Sequence, residues 1–199
     1  MARTATPTSA NTAIHIVAIP TAPSNNTSNF TAKMNMIIHD DGHTNVVSAD
    51  GLISPNDLRL KTNNDGFKEN SFDYIITNPP FGSIVKQTEK AYLHQYKLGI
   101  KDIDWLNPNS KASERPSQST EVLFIEQAEK YLVEGGYLAI VVPDGVLTNS
   151  SMQYVRDYIS DTFRIVAVIS MPQTAFSANG AGVNNVTRLS INQHRNAVY

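Results

Sequence analysis

Four consecutive residues, Asn78-Pro79-Pro80-Phe81, follow a strand-like segment and have the chemistry of a pocket for a flat amine. The Asn78 side-chain carbonyl and a proline backbone carbonyl can each accept a hydrogen bond from an exocyclic amino group, and proline holds its carbonyl rigidly. The Phe81 ring can stack on a base. Two acceptors favour the pyramidal, nucleophilic form of such an amine, which would stabilise the transition state. The alternative is a rigid turn that ends the strand, which these residue types also favour.

Further candidates stand where other predicted strands end, because ligands of open α/β sheets bind beyond the carboxyl ends of the strands. Asp50 and Gly51 follow one such strand, although an ordinary Asp-Gly turn is the alternative. Asp144 follows another and is interpreted as a turn residue that supports the site. Phe176 lies in the loop after the last of them, and its alternative interpretation is a core phenylalanine at a loop edge.

The pattern of apolar residues predicts the elements that must position these groups. The apolar strands 137–143 and 165–171 are of the kind that is buried on both faces of a sheet. Alternation of strands and helices predicts an α/β protein with a mainly parallel sheet. Strands are predicted at 13–19, 44–49, 72–77, 137–143 and 165–171, with a weak one at 186–191; helices at 30–39, 121–133 and 150–162; and loops at 54–70 and 82–118.

Composition bounds the class of protein. The 199 residues are 41% hydrophobic and 17% charged, which is enough apolar material for a core. A net charge of -2 excludes a wholly basic nucleic-acid-coating protein, and the absence of cysteine excludes disulfides, thiol nucleophiles and cysteine-ligated zinc. These features, with no apolar run long enough to span a membrane, fit a cytoplasmic enzyme. Residues 1–29 form a low-complexity segment rich in Thr, Ala, Asn, Ser and Pro.

The segment Phe72–Ser83 (FDYIITNPPFGS) resembles the catalytic motif of N6-adenine DNA methyltransferases. Together with four other segments, it resembles the modification subunit of type I restriction–modification systems, from about Phe30 to about Val183. The other four segments, in the order seen in that family, are Ala32–His39 with Asp50-Gly51-Leu52, Thr120–Glu126, Gly135–Leu147 and Ile169–Phe176. We therefore expect residues 30–183 to form a partial methyltransferase domain and 184–199 a divergent tail.

The resemblance implies a Rossmann-like fold with helices on both faces of the sheet, S-adenosylmethionine as methyl donor and adenine in DNA as acceptor. It implies that Asn78, Pro79, Pro80 and Phe81 are catalytic and that Asp50, Gly51 and Asn78 contact the cofactor. Phe81 and Phe176 would then hold the flipped base from its two sides. Specificity and restriction subunits would be the partners, and no metal would be required. His39 and His43 with Asp40 and Asp41 are interpreted as a helix end and turn rather than a metal site.

The sequence departs from the family pattern at its cofactor loop. All ten glycines fall after residue 41, so the glycine-rich loop of the type Asp-Pro-x-x-Gly-x-Gly, which approaches the methionine part of the cofactor, is absent. The acidic residue that grips the cofactor ribose and the N-terminal helical domain are also missing. We therefore expect this chain alone to bind S-adenosylmethionine weakly or not at all. A micromolar affinity measured by calorimetry would contradict this.

Two other functions stay open from the sequence. One is a non-catalytic remnant that only binds DNA or partner subunits, and the missing glycine loop favours it. The other is methylation of a glutamine side chain in a protein, which also uses an Asn-Pro-Pro-aromatic motif. The loop 82–118 is a candidate for contact with DNA or a subunit, since it carries Lys86, Lys90, Lys97 and Lys101. A solvated surface loop explains those lysines equally well.

Overall fold

The structure is a computed structural model of the chain, and it describes residues 16–18, 26–39, 46–86, 93–101, 113–172 and 186–193. In chain order the strands are β1 (Ile16–Ala18), β2 (Val47–Ala49), β3 (Phe72–Thr77), β4 (Ile84–Lys86), β5 (Ile100–Lys101), β6 (Ser113–Glu114), β7 (Ser117–Ser119), β8 (Leu132–Pro143), β9 (Phe163–Ser170) and β10 (Val186–Gln193). The α-helices are α1 (Asn26–Ile38), α2 (Pro55–Thr62), α3 (Thr120–Tyr131), α4 (Asp144–Thr148) and α5 (Gln153–Thr162).

The largest sheet has four strands in the order β3-β8-β10-β9. Strand β3 pairs parallel to β8, and β10 pairs antiparallel to both β8 and β9. Three of the four strands therefore run in the same direction, with one reversed strand between two of them. Strands β1 and β2 form a separate parallel pair, against which α1 and α2 lie. The predicted α/β class is confirmed, and β3 has the predicted bounds.

The main core lies between this sheet and helices α3, α4 and α5. Strand β8 directs Leu138, Ile140 and Val142 into it, and all three are fully buried. The prediction that this strand is buried on both faces was wrong, because its side chains alternate and Tyr137 on the other face is 44% exposed. Tyr137 stacks on Tyr74 of β3 with ring centroids 5.7 Å apart. Other large apolar side chains also remain exposed on the sheet: Ile76, Ile165, Val166, Val168 and Ile169.

Helix α2 occupies a stretch that was predicted to be a loop. Its sequence is polar and only Pro55 and Leu58 are buried, so hydrophobic spacing gave no helical signal. The capping residues do identify it. Ser54 precedes the helix, its Oγ accepts a hydrogen bond from the Asp57 N–H at 3.1 Å, and Pro55 stands in the first turn, where a missing N–H costs nothing. The chain leaves the helix at Asn63 in the left-handed conformation.

The Ser54 cap can be tested by replacement with alanine. We expect Ser54→Ala to lower the free energy of unfolding by about 1 kcal/mol, because the Asp57 N–H loses its acceptor. Urea denaturation measures this change. Ser160→Ala is the matched control, since Ser160 is exposed inside α5, where alanine favours the helix. An equal loss of stability in both variants would contradict the capping role.

Several other boundaries also differ from prediction. Helix α1 begins four residues earlier than predicted, and α3 ends at Tyr131. Gly135 and Gly136 therefore lie within β8 instead of ending a helix. Gly135 has a positive φ of 81°, at the place where the pairing with β3 shifts register. The predicted capping box at 150–153 is replaced by a short 3-10 helix, Ser150–Met152.

No helix in the described ranges is long and apolar enough to cross a bilayer.

Candidate functional site

The predicted amine-binding residues directly follow β3 at its carboxyl end. Asn78 is exposed, Pro79 is buried, and Pro80 and Phe81 are half-buried. The motif is therefore anchored through its first proline while the amide of Asn78 stays accessible. Since β8 is parallel to β3, its carboxyl end lies at the same edge of the sheet.

Asp144 follows β8 at this edge. It is the first residue of α4, not a turn residue as predicted from the sequence. A carboxylate in the first turn is favoured there because it faces the positive end of the helix dipole. The sequence placed Asp144 correctly at the strand end, but the short helix that follows gave no periodic signal.

Asp50 follows β2 and forms a local turn. Its Oδ1 accepts a hydrogen bond from the Leu52 N–H at 3.1 Å, and its backbone carbonyl lies 3.4 Å from the Ile53 nitrogen. Asp50 itself is half-buried, whereas Gly51, Leu52 and Ile53 are buried. The Asp-Gly turn is thus present, and it fixes the direction of a carboxylate at a strand end.

Helix α3 holds the segments behind both candidate sites. At its start, the backbone N–H and the Oγ1 hydroxyl of Thr120 each donate to the Ser83 carbonyl at 2.9 Å. Two turns further on, Gln127 Nε2 donates to the Ile53 carbonyl at 2.9 Å. One rigid helix therefore fixes the chain two residues after Phe81 and three residues after Asp50. Seven residues of helix separate the two anchors by roughly 10 Å.

Tyr96 connects the same helix to the predicted loop 82–118. Its ring is 1% exposed, and its hydroxyl oxygen lies 2.6 Å from the Leu52 carbonyl and 2.7 Å from Gln127 Oε1. The ammonium of Lys130 lies 3.7 Å from the ring centroid, a favourable cation–π geometry. Three chain segments therefore meet at one buried hydroxyl.

Glu126 holds the neighbouring backbone. Its two carboxylate oxygens accept the N–H groups of Lys97 and Leu98, each at 2.9 Å. Burial raises the pKa of Glu126, while these two N–H groups and Lys130 act to lower it. Burial also lowers the pKa of Lys130, which is opposed by the charge of Glu126.

These contacts correct the interpretation of 82–118 as a plain loop. Its described parts contain β4 to β7 and two short 3-10 helices, Leu93–Gln95 and Lys97–Gly99. Gln118 Nε2, which is also buried, donates to the Leu98 carbonyl at 2.6 Å. Sequence analysis missed Tyr96, Gln118, Glu126 and Gln127. The available signal was a pair of polar residues, Glu126-Gln127, inside an otherwise apolar helix.

Some predicted residues fall outside the described part of the chain. Among them are Phe176 and Lys90. The stretch 40–45 also lies outside, with the predicted residues Asp40, Asp41 and His43. The side chains of Lys86, Lys97 and Lys101 are exposed. Within the described residues, no three His, Asp or Glu side chains converge as metal ligands do.

Comparison with known sequences assigns the family. The model of the N-6 DNA methylase family matches residues 10–198. The methylase subunit of the type I restriction enzyme MpnII from Mycoplasma pneumoniae is 31% identical over 156 residues, which cover 77% of this chain and 27% of that protein. A Methanocaldococcus jannaschii protein described as a type II restriction enzyme and methyltransferase is 29% identical over 118 residues. These cover 59% of this chain and 8% of that protein. The chain thus spans less than a third of either curated relative.

Solved structures agree on the fold. A Listeria monocytogenes protein described as a class I S-adenosylmethionine-dependent methyltransferase has a TM-score of 0.55 at 20% identity, with 82% of this chain and 42% of that chain covered. The M protein of the type I restriction enzyme EcoKI has a TM-score of 0.56 at 18% identity. The match covers 92% of this chain and 31% of that chain. The fold expected from the resemblance is thereby confirmed. This chain belongs to the N-6 DNA methylase family, with the α/β fold of S-adenosylmethionine-dependent methyltransferases.

Proposed function

We propose that this chain is part of an adenine-specific DNA methyltransferase, the modification subunit of a type I restriction–modification system. The observation that carries the proposal is the Asn78–Phe81 motif at the carboxyl end of β3, with Pro79 buried and Asn78 exposed. An exposed amide is free to meet an exocyclic amine, and a buried proline holds the carbonyl beside it in a fixed position.

In this proposal the target adenine leaves the DNA stack and enters the site, because its N6 cannot be reached inside a duplex. The side-chain carbonyl of Asn78 and the carbonyl of Pro79 accept hydrogen bonds from the N6 amino group. Phe81 stacks on the base, and Phe176 is proposed for the opposite side. Transfer would form a bond from N6 to the methyl carbon and break the bond from that carbon to the cofactor sulfur, so that the cofactor would leave as a neutral thioether. The two carbonyls would stabilise the positive charge that develops on N6, and one N6 proton would then leave to solvent.

Asp50 and Gly51, with Asn78, are the residues proposed to hold the adenosine part of S-adenosylmethionine. The fit rests on a half-buried carboxylate at the end of β2, oriented by the Leu52 N–H, with apolar side chains behind it. A carboxylate so placed can accept hydrogen bonds from a nucleoside. When bound, S-adenosylmethionine supplies an electrophilic methyl group. The contribution of this chain is to orient the acceptor amine toward it.

The proposed partners are DNA and the specificity and restriction subunits of a type I system. Support comes from the likeness to the methylase subunit of MpnII, over 27% of that protein. In this arrangement a separate specificity subunit chooses the DNA sequence.

Methyl transfer can be assayed with labelled S-adenosylmethionine and adenine-containing DNA, using this chain alone and with a specificity subunit of the MpnII type. We expect label in N6-methyladenine after digestion to nucleosides when the specificity subunit is present, and little or none with the chain alone, which we expect to bind the cofactor weakly or not at all. Label in protein glutamine, or DNA binding without label under every condition, would contradict the proposal. The first result would indicate a glutamine methyltransferase and the second a non-catalytic binding protein.

A further inference from the structure

Glu121 lies beneath the turn that follows the Asn78–Phe81 motif. It is in the first turn of α3 and is only 7% exposed. The two residues before it hold that turn: Thr120 binds the Ser83 carbonyl, and Ser119 of β7 pairs with Ile84 of β4. The Glu121 carboxylate is thus enclosed between the helix and the segment that leaves the motif.

Gly82 precedes Ser83, whose carbonyl is bound by Thr120, the residue next to Glu121 on α3. Burial raises the pKa of Glu121, and the N–H groups of Glu121 itself and of Gly82, together with the Ser119 side chain, act to lower it. Gly82 has a positive φ of 74°, so the chain bends sharply immediately after Phe81. A fixed acceptor for its N–H therefore selects the conformation in which the chain leaves Phe81.

The two buried glutamates of α3 differ in their pairing. Both oxygens of Glu126 accept backbone N–H groups. In contrast, Glu121 Oε2 and the neighbouring Ser119 Oγ are buried without a hydrogen-bond partner of standard geometry among the described residues. An unpaired buried carboxylate oxygen is unfavourable for folding. A side chain kept there only for stability would be apolar or fully paired.

We propose that Glu121 is a positioning residue that fixes Gly82, and through it the Phe81 ring, against the N-terminus of α3. Its consequence for methyl transfer rests on the proposed function, but the positioning itself does not. Gly82 is exposed, so its N–H pairs with water when the carboxylate is removed. Loss of Glu121 therefore frees the turn without unfolding the protein.

Amide hydrogen exchange of Gly82 in the full chain, followed by NMR, tests the positioning directly. We expect Glu121→Leu to speed this exchange at least about tenfold while Tm stays equal or rises, because an apolar side chain of similar size replaces an unpaired charge. Glu121→Gln keeps an acceptor oxygen, so its exchange should lie between wild type and Glu121→Leu. If the leucine variant does not fold, Glu121→Asp takes its place, since its shorter carboxylate is drawn back from Gly82.

Glu126→Leu is the matched control on the same helix. We expect it to lower Tm and to speed exchange at Lys97 and Leu98, whose N–H groups it binds, but not at Gly82. Unchanged Gly82 exchange in both Glu121→Leu and Glu121→Asp would overturn the proposal, as would an equal Gly82 effect in Glu126→Leu.

Catalysis supplies a second readout if the wild-type chain methylates DNA. We then expect Glu121→Leu to lower kcat at least about tenfold, because a small displacement of Phe81 would misplace the base. The KM for S-adenosylmethionine should stay unchanged. A raised KM with unchanged kcat would overturn the link to Phe81. If wild type transfers no methyl group, the proposed function fails, while the exchange data still decide the positioning role.

Discussion

Replacing Asn78 with alanine is expected to lower kcat for methyl transfer to adenine by at least about 100-fold, the size seen when one preorganised hydrogen-bonding group is removed from a transition state. The loss should appear in kcat more than in the KM for S-adenosylmethionine, because the amide is proposed to contact the amine as charge develops on it. Steady-state kinetics with a DNA substrate would measure both. Stability should change by less than about 0.5 kcal/mol, since Asn78 is exposed.

Asn56→Ala is the matched control for this experiment. Asn56 is an exposed asparagine on α2 with no role in the proposed site, and its loss should leave kcat unchanged. Phe81→Ala should weaken binding of the flipped base by about 1–3 kcal/mol, the value of one base–aromatic stack. If Asn78→Ala retained wild-type kcat, the motif would be a strand-ending turn and the proposed amine site would be wrong.

The candidate site could be located from the sequence because it depends on local chemistry. Strand β3 ends at Thr77, and the two prolines that follow Asn78 cannot donate hydrogen bonds to continue a ladder. The turn at Asp50 was likewise predicted from the dipeptide Asp50-Gly51. In both places the decisive interactions lie within a few residues of each other, so no knowledge of the tertiary structure was needed.

The support beneath the site could not be predicted, because it joins residues far apart in sequence. Gln127 binds Ile53 across 74 positions, and Tyr96 binds Leu52 across 44. On a helix wheel, polar residues such as Glu126 and Gln127 are expected to face water. Here Glu126 binds backbone N–H groups of the segment 82–118, and Gln127 binds the Ile53 carbonyl. Only the folded chain brings these partners to α3, so 82–118 was predicted to be a loop.

Helix α2 is a different case, because a local signal for it existed in the sequence. The lack of hydrophobic periodicity nevertheless led to the prediction of a loop. Ser54-Pro55-Asn56-Asp57 has the residue types of a helix start, with a cap, a proline and an acidic first turn. Exposed Leu60 and the polar side chains around it gave no apolar stripe. The cap identifies this helix better than periodicity does, because only two of its residues, Pro55 and Leu58, are buried.

The buried side chain of Gln127 should make a large polar contribution to stability near the site. We expect Gln127→Leu to lower the free energy of unfolding by about 2–3 kcal/mol, because the Ile53 carbonyl loses its donor inside the protein. Urea denaturation of the full chain measures this. Gln153→Leu is the control, since Gln153 is an exposed glutamine whose partners, Arg156 and Asp157, are on its own helix.

A double-mutant cycle distinguishes a shared network from two separate contacts. Tyr96→Phe removes the hydroxyl that lies 2.7 Å from Gln127 Oε1 and keeps the aromatic ring that contacts the Lys130 ammonium. If the hydroxyl and the amide form one unit, the second replacement costs less once the first is made, and the coupling should be about 1 kcal/mol. Additive losses would mean that α3 holds Leu52 and Ile53 by independent bonds. Coupled losses would mean that the turn at Asp50 and the segment around Tyr96 order together, so that a change in either one alters the cofactor side of the proposed site.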